Sequence, residues 1–188
     1  MGAAGPAPAA KLFVAMLIAP DGRDAVATYD RLLAESFGPI ERVSPLWPFD
    51  FTEYYRAEMG PDLVRRIVSF AGLFDPARLV EAKRRTNRLE TDLAARLRPG
   101  AGGRIVNLDP GYLTLGQVVL ATTKGYSHRL YLGDGIWAEV TLRYVKGRYE
   151  KWEWTYPDYA GGRYNDFWLA VRSDLKDASA GRRDPPGR

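Results

Sequence analysis

A chain of 188 residues, 46% hydrophobic and 27% charged, has the length and composition of one globular domain with a sizeable core. It has no cysteine and a single histidine, which excludes disulfides, cysteine nucleophiles, zinc–cysteine sites and any metal motif built on two imidazoles. The net charge of +4 is mild, and Arg182, Arg183 and Arg188 lie in a tail that reads as disordered, so the dense basic stripe of a duplex-DNA binder is missing and nucleic acid is disfavoured as a partner.

No run of 18 apolar residues exists, so no membrane span is expected. The apolar stretch at 12–19 follows Lys11 and has the length of a signal-peptide core, but a turn and a helix come next, as after a core strand. A cytoplasmic location is therefore expected.

Residues 1–10 carry only Ala, Gly and Pro beyond the initiator and read as a disordered lead; 11–176 form one α+β domain, and 177–188 a disordered tail. The continuous apolar run at 12–18 suits a strand buried on both faces. After the turn Pro20-Asp21-Gly22, a helix is predicted over 24–37, where Val26, Tyr29, Leu33 and Phe37 form a stripe that Gly38-Pro39 ends. A short strand over 40–43, a rigid loop over 45–48 and a strand over 49–57 follow, then a strand over 63–70. Asp75-Pro76 opens the clearest helix, with Asp75 capping and Pro76 at the first turn. Its stripe runs through Leu79, Ala82, Thr86, Leu89, Leu93 and Leu97. Lys83, Asn87 and Glu90 flank that stripe, either as solvated polar neighbours or as the edge of a cleft where the helix crosses the sheet.

A strand over 104–108 leads to Asp109-Pro110-Gly111, which reads as a turn with Gly111 supplying positive φ. The segment 115–121 fits either a short helix or a buried strand. Around Gly133-Asp134-Gly135 a three-residue hairpin loop separates two faces cleanly: His128, Leu130, Leu132, Ile136, Ala138, Val140 and Leu142 on one, Arg129, Tyr131, Trp137, Glu139, Thr141 and Arg143 on the other. That register sets Arg129 across from Glu139. A third strand over 149–155 bears Trp152 and Trp154, and a last helix is predicted over 165–176.

No P-loop, dinucleotide fingerprint or Gly-x-Ser-x-Gly elbow is present. The residues with chemical potential cluster on strand ends and loops. Lys124, after two threonines, suits a phosphate or carboxylate. Asp109 either caps its own turn, which is the simpler reading, or orients a metal ion or water. His128 either packs in the core or acts as a general acid/base. Arg129 and Glu139 are simplest as a sheet ion pair. The C-terminal aromatics read as cross-strand packing, or as a stacking platform.

Several segments carry a family resemblance: Tyr54-Tyr55 with Glu58-Met59-Gly60, Ser69-Phe70, Lys83 with Thr86-Asn87 and Glu90, 107–112, 120–124, His128-Arg129, 139–142 and 154–159. On these the chain resembles, over 11–175, a bacterial and archaeal family of about this length described only as a domain of unknown function. Some of its members bear a GTP-binding label, for which this sequence has no motif. The resemblance implies a shared fold and site without naming a reaction, a cofactor or a metal.

The expected architecture is a mixed or antiparallel sheet with a ferredoxin-like N-terminal half, a β-meander and a C-terminal helix. The expected function is binding of a small anionic, phosphate- or nucleotide-like ligand, with hydrolase or transferase activity in view. Its site would be His128 and Asp109 as catalytic groups, with Lys124, Tyr112, Lys83, Asn87, Glu90, Arg129 and Glu139 around the ligand. The rival is a non-catalytic module that docks protein or nucleic acid on its aromatic sheet.

Overall fold

The computed structural model describes residues 5–100 and 102–180. Its centre is the strand β1 (Lys11–Ile18), whose eight residues are all buried. An apolar run with no polar face can be buried only between two covered faces, and both faces are covered here. Leu12, Val14, Met16 and Ile18 pack against Tyr29 and Leu33 of α1 (Val26–Phe37) and Ala82, Leu89 and Leu93 of α3 (Leu79–Leu97). Phe13 and Ala15 face the other way, onto Phe167, Trp168, Val171 and Leu175 of α5 (Asn165–Ala180).

The remaining elements are β2 (Ile40–Val43), β3 (Trp47–Phe49), α2 (Arg56–Met59), β4 (Leu63–Phe70), β5 (Val106–Leu113), β6 (Gln117–Thr122), β7 (Leu130–Gly133), β8 (Ile136–Val145), β9 (Arg148–Lys151) and α4 (Pro157–Ala160). Among the described residues the nine strands form one antiparallel sheet in the order β2-β4-β1-β5-β6-β8-β7, with β3 also on β4 and β9 also on β8. This is the expected α+β class, with an antiparallel sheet and a C-terminal helix. Within the C-terminal half it is β8, not β7, that adjoins β6.

Several local expectations are corrected. Asp109-Pro110-Gly111 is not a turn but the middle of β5. Gly111 has no positive φ; it is needed because a Cβ there would sit 2.3 Å from the Val119 carbonyl oxygen and 2.4 Å from the Phe13 ring. The segment 49–57 is not a strand: β3 ends at Phe49, and Tyr54-Tyr55 sit in the turn before α2. The third strand of the C-terminal sheet stops at Lys151, so Trp152 and Trp154 lie beyond it. Segment 115–121 resolves as the strand β6.

The hairpin register holds at Leu130↔Ala138 and Tyr131↔Trp137, but a bulge then pairs Gly133 with Ile136. The turn is therefore the two residues Asp134-Gly135, both at positive φ, as a primed turn requires. Leu130 and Leu132, expected on a buried face, are exposed, because β7 is an edge strand with nothing packed over it. A second bulge between Val118 and Val119 moves Leu142 to the α5 side, while Ile136, Ala138 and Val140 stay on the α3 side.

The expected lead (1–10) and tail (177–188) fall partly outside the described residues. Within them, Ala10 is buried and bridges Phe74, and α5 continues to Ala180. Asp75 caps as expected, accepting from the Ala77 N–H at 2.9 Å.

The close approach at Gly111 is testable. Gly111→Ala forces β6 or Phe13 to move and should destabilise the fold by about 3 kcal/mol, the upper end for overpacking. Urea denaturation measures it; an unchanged midpoint would mean that β5 and β6 are not this tightly apposed.

Candidate functional site

The site begins with a break in the sheet. β5 pairs with β6 only from Gly111 to Leu113, although β5 starts at Val106 and β6 runs on to Thr122. Over 106–110 the strand has a neighbour on the β1 side alone. In a strand, alternate residues turn their backbone polar groups to the same side, so Leu108, Pro110 and Tyr112 face β6. Tyr112 finds its ladder there. Pro110 has no N–H to satisfy, so it is tolerated where the partner strand is absent. Leu108 has both groups, and α3 supplies both partners: its N–H donates to Glu90 Oε1 at 2.7 Å, and its carbonyl accepts from Lys83 Nζ at 3.1 Å.

Lys83 comes from the α3 side, whereas Asp109 pairs with Ala15 and so projects to the α5 side. Through the gap the Lys83 ammonium also reaches Asp109 Oδ1 at 2.8 Å. Asn107 donates to Asp109 Oδ2 at 2.6 Å and accepts from Arg104 at 2.5 Å. Arg104 is held bidentately by Glu58 at 2.7 and 2.8 Å and reaches Glu90 at 3.3 Å. Burial alone would raise the Asp109 pKa; Lys83, and then Arg65, outweigh it and hold the carboxyl below its ordinary value. Burial raises Glu90, and the Arg104 hydrogen bond lowers Glu58.

The gap opens into a cleft of about 200 Å³. Its floor is Asp109, Asn107 and Lys83; one wall is Leu120–Lys124 with Arg129 and Glu139; the other is Phe49, Tyr55, Tyr156 and Tyr159, with Arg65 and Asp158. Arg65 belongs to β4, which is covered on both sides, so the adjacent Arg65 and Arg66 enter opposite buried faces and each needs a carboxylate. Arg66 finds Asp30, with one contact at 2.7 Å, and Arg65 finds Asp158 Oδ2 at 2.9 Å. The Arg65 guanidinium also lies 5.0 Å from the Phe49 ring centre and 5.7 Å from that of Tyr159. Arg65 is 5% exposed and Asp158 is fully buried, yet Arg65 Nε and Nη1, Asp158 Oδ1 and the Tyr159 hydroxyl have no hydrogen-bond partner.

At the mouth, Lys124 Nζ sits 3.8 Å over the Tyr54 ring and has no ion pair among the described residues. Arg129 donates to the Lys124 carbonyl at 2.9 Å and to Glu139 Oε2 at 2.9 Å, as expected from the register. His128 lies in the turn before β7, not on a strand, and does not line the cleft. Its Nε2 meets the same Glu139 oxygen at 3.0 Å, and its ring stacks on Trp154 with centroids 5.4 Å apart. His128 and Arg129 therefore converge on one carboxylate from the loop.

Of the anticipated residues, the fold brings Lys83, Asn87, Asp109, Lys124, Arg129 and Glu139 to one cleft. Glu90 stands behind it on Leu108 and Arg104. Tyr112 is elsewhere, packed with Leu79, Val119 and Ile136 on the α3 face, because it is three residues along the strand from Asp109 and points the other way. Arg65, Asp158, Arg104, Tyr55 and Tyr159 were not anticipated. The signal for Arg65 was two adjacent arginines in an otherwise apolar strand, where one at least must enter a core face.

The acidic side chains of the cleft are largely engaged by neighbours. Asp109 and Glu139 are each engaged by two donors, and burial raises the Tyr55 and Tyr159 pKa values, keeping both phenols protonated at neutral pH. Among the described residues no group of three or more His, Cys, Asp or Glu side chains is placed to hold a metal ion. A larger groove of about 460 Å³ lies between α1 and α3, but its arginines, Arg78, Arg85 and Arg88, are all exposed, and Arg78 is already bonded to Glu81.

Fold and cleft together define an α+β protein whose antiparallel sheet is split to make room for a charged, aromatic-walled site. Over residues 8–175 the chain matches the family described as "Domain of unknown function (DUF4416)", and it belongs to that family. No curated protein and no solved structure matches it. No helix among the described residues is long and apolar enough to cross a membrane.

The Lys83–Asp109 pair has a pH signature. Because the Asp109 pKa is lowered on folding, its contribution is present above the ordinary aspartate value of about 3.9 and is lost as pH falls through the folded value. Asp109→Asn should cost about 2 kcal/mol at pH 7, below the usual figure for fully buried pairs because Asp109 keeps 26% of its side chain exposed. Urea titrations from pH 7 down to 2.5 should show that gap closing below about pH 4. A gap independent of pH would mean that the ion pair is not what is lost.

Proposed function

We propose that the protein binds a small anion in the cleft between β5 and β6, and that Arg65 receives the acid group. The observation that carries this reading is Arg65 itself: a guanidinium lining the cleft, almost wholly buried, with two donor nitrogens left unpartnered. Leaving buried donors unmade costs about 1–3 kcal/mol each, and a bound carboxylate or phosphate would recover it bidentately. Lys124 adds positive charge at the mouth and makes no close ion pair among the described residues.

Size and charge set limits on the ligand. A cavity of 200 Å³ has the volume of about seven waters and falls below the range of roughly 300–1,000 Å³ typical of larger ligands. Five cationic and three anionic side chains line the cleft, and Glu58 and Glu90 hold Arg104 from behind. The site therefore has little charge to spare for a triphosphate, and a small monoanion fits it better than a whole nucleotide.

The rival reading, docking on the aromatic sheet, has less support. Trp154 is 37% exposed, but its ring lies between Trp152 and His128, and its indole N–H donates to the Val140 carbonyl at 3.0 Å. Both faces of the Trp154 ring are therefore occupied.

Calorimetric titration tests the proposal with inorganic phosphate, short carboxylic acids, amino acids and nucleoside triphosphates as probes. The small anions should bind and the triphosphates should not. Lys124→Ala, at an exposed position, should keep the fold and weaken binding about tenfold, or ~1.4 kcal/mol. Variants at Lys124 and Arg65→Lys that titrate like the wild type would overturn the proposal.

A further inference from the structure

We infer that the ligand is a zwitterion of the α-amino acid type, with its carboxylate on Arg65 and its ammonium on Asp158. This rests on the anion reading above and adds the second half of the ligand. The Arg65–Asp158 pair is satisfied through one atom of each partner only: Nη2 meets Oδ2 at 2.9 Å, and the Tyr164 hydroxyl also reaches Oδ2, at 3.4 Å. What is unused lies next to it, as donors on one partner (Arg65 Nε and Nη1) and an acceptor on the other (Asp158 Oδ1), with the Tyr159 hydroxyl also unpartnered. Every one of these residues except Tyr164 lines the cleft.

A simple carboxylate or phosphate satisfies the arginine and leaves the buried Asp158 oxygen without a donor. A molecule that also carries N–H donors satisfies both. The free donors and the free acceptor are linked through one ion-pair distance of 2.9 Å with two bonds on either side. A carboxylate and an ammonium on the same carbon span such a gap.

One further observation favours a cationic donor over a hydroxyl. The charges at the cleft are close to balanced once Glu58 and Glu90 are included, so a ligand that brings both signs disturbs that balance least.

The test is a calorimetric series on the full chain, with common L-amino acids each compared with its N-acetyl derivative and its 2-hydroxy acid. At least one free amino acid should bind, and acetylation or replacement of the amine by hydroxyl should weaken it tenfold or more. Asp158→Asn should erase that discrimination while keeping carboxylate binding; if the variant fails to fold, the ligand series alone decides. Should the acetylated or hydroxy acids bind as tightly as the amino acids, or should simple carboxylates bind where amino acids do not, the zwitterion is overturned and the anion reading stands. If no carboxylate and no phosphate binds the wild type, both fail together.

Discussion

The backbone of Leu108 has no strand beside it on the β6 side, and much of the candidate site follows from that. A buried N–H and carbonyl must find partners or cost the fold several kcal/mol. Here Glu90 and Lys83 of α3 take them, in place of a ladder that ends at Gly111. Pro110 makes the arrangement easier, since it removes the next donor that would have faced the gap. Gly111 then allows β6 to close against β5 within the space of a single missing Cβ. The split is thus built from one proline, one glycine and two charged helix residues, and it lets a helix on one face of the sheet set the charge state of Asp109 on the other.

Around this split, nearly every charge has a countercharge already in place. Lys83 holds Asp109, Arg129 and His128 hold Glu139, and Glu58 holds Arg104. Such a network fixes side chains in position. This scaffold leaves few buried polar atoms of the cleft unmatched: Arg65 Nε and Nη1, Asp158 Oδ1 and the Tyr159 hydroxyl. His128 belongs to the scaffold: it touches the far side of Glu139 and stacks on Trp154, so it steadies the wall without entering the cleft.

The sequence by itself determined the elements with a strong period or a strong stop. The all-apolar β1, the helix between Asp75 and Pro99, the strand 63–70 and the last helix follow from local pattern and capping, which act over a few residues. It also brought Lys83, Asn87, Asp109, Lys124, Arg129 and Glu139 into view, because charged residues beside apolar runs have to be accommodated somewhere. Short segments rich in Pro, Gly and aromatics were misread. Asp109-Pro110-Gly111 has the composition of a turn, yet long-range pairing with β1 overrode that preference; Tyr54-Tyr55 has the composition of a strand but sits in the turn before α2.

Only the tertiary structure decided which of these residues meet. That β5 and β6 part below Gly111 depends on packing between segments far apart in the chain. The same packing delivers Arg65 from β4 and Asp158 from α4, 93 positions away, to one buried pair. It also turns Tyr112 away from the site that Asp109 joins, because side chains alternate between the faces of a strand and the two lie an odd number of residues apart on β5. A residue's chemistry is local and can be read from its letter; its partners are set by the path of the whole chain.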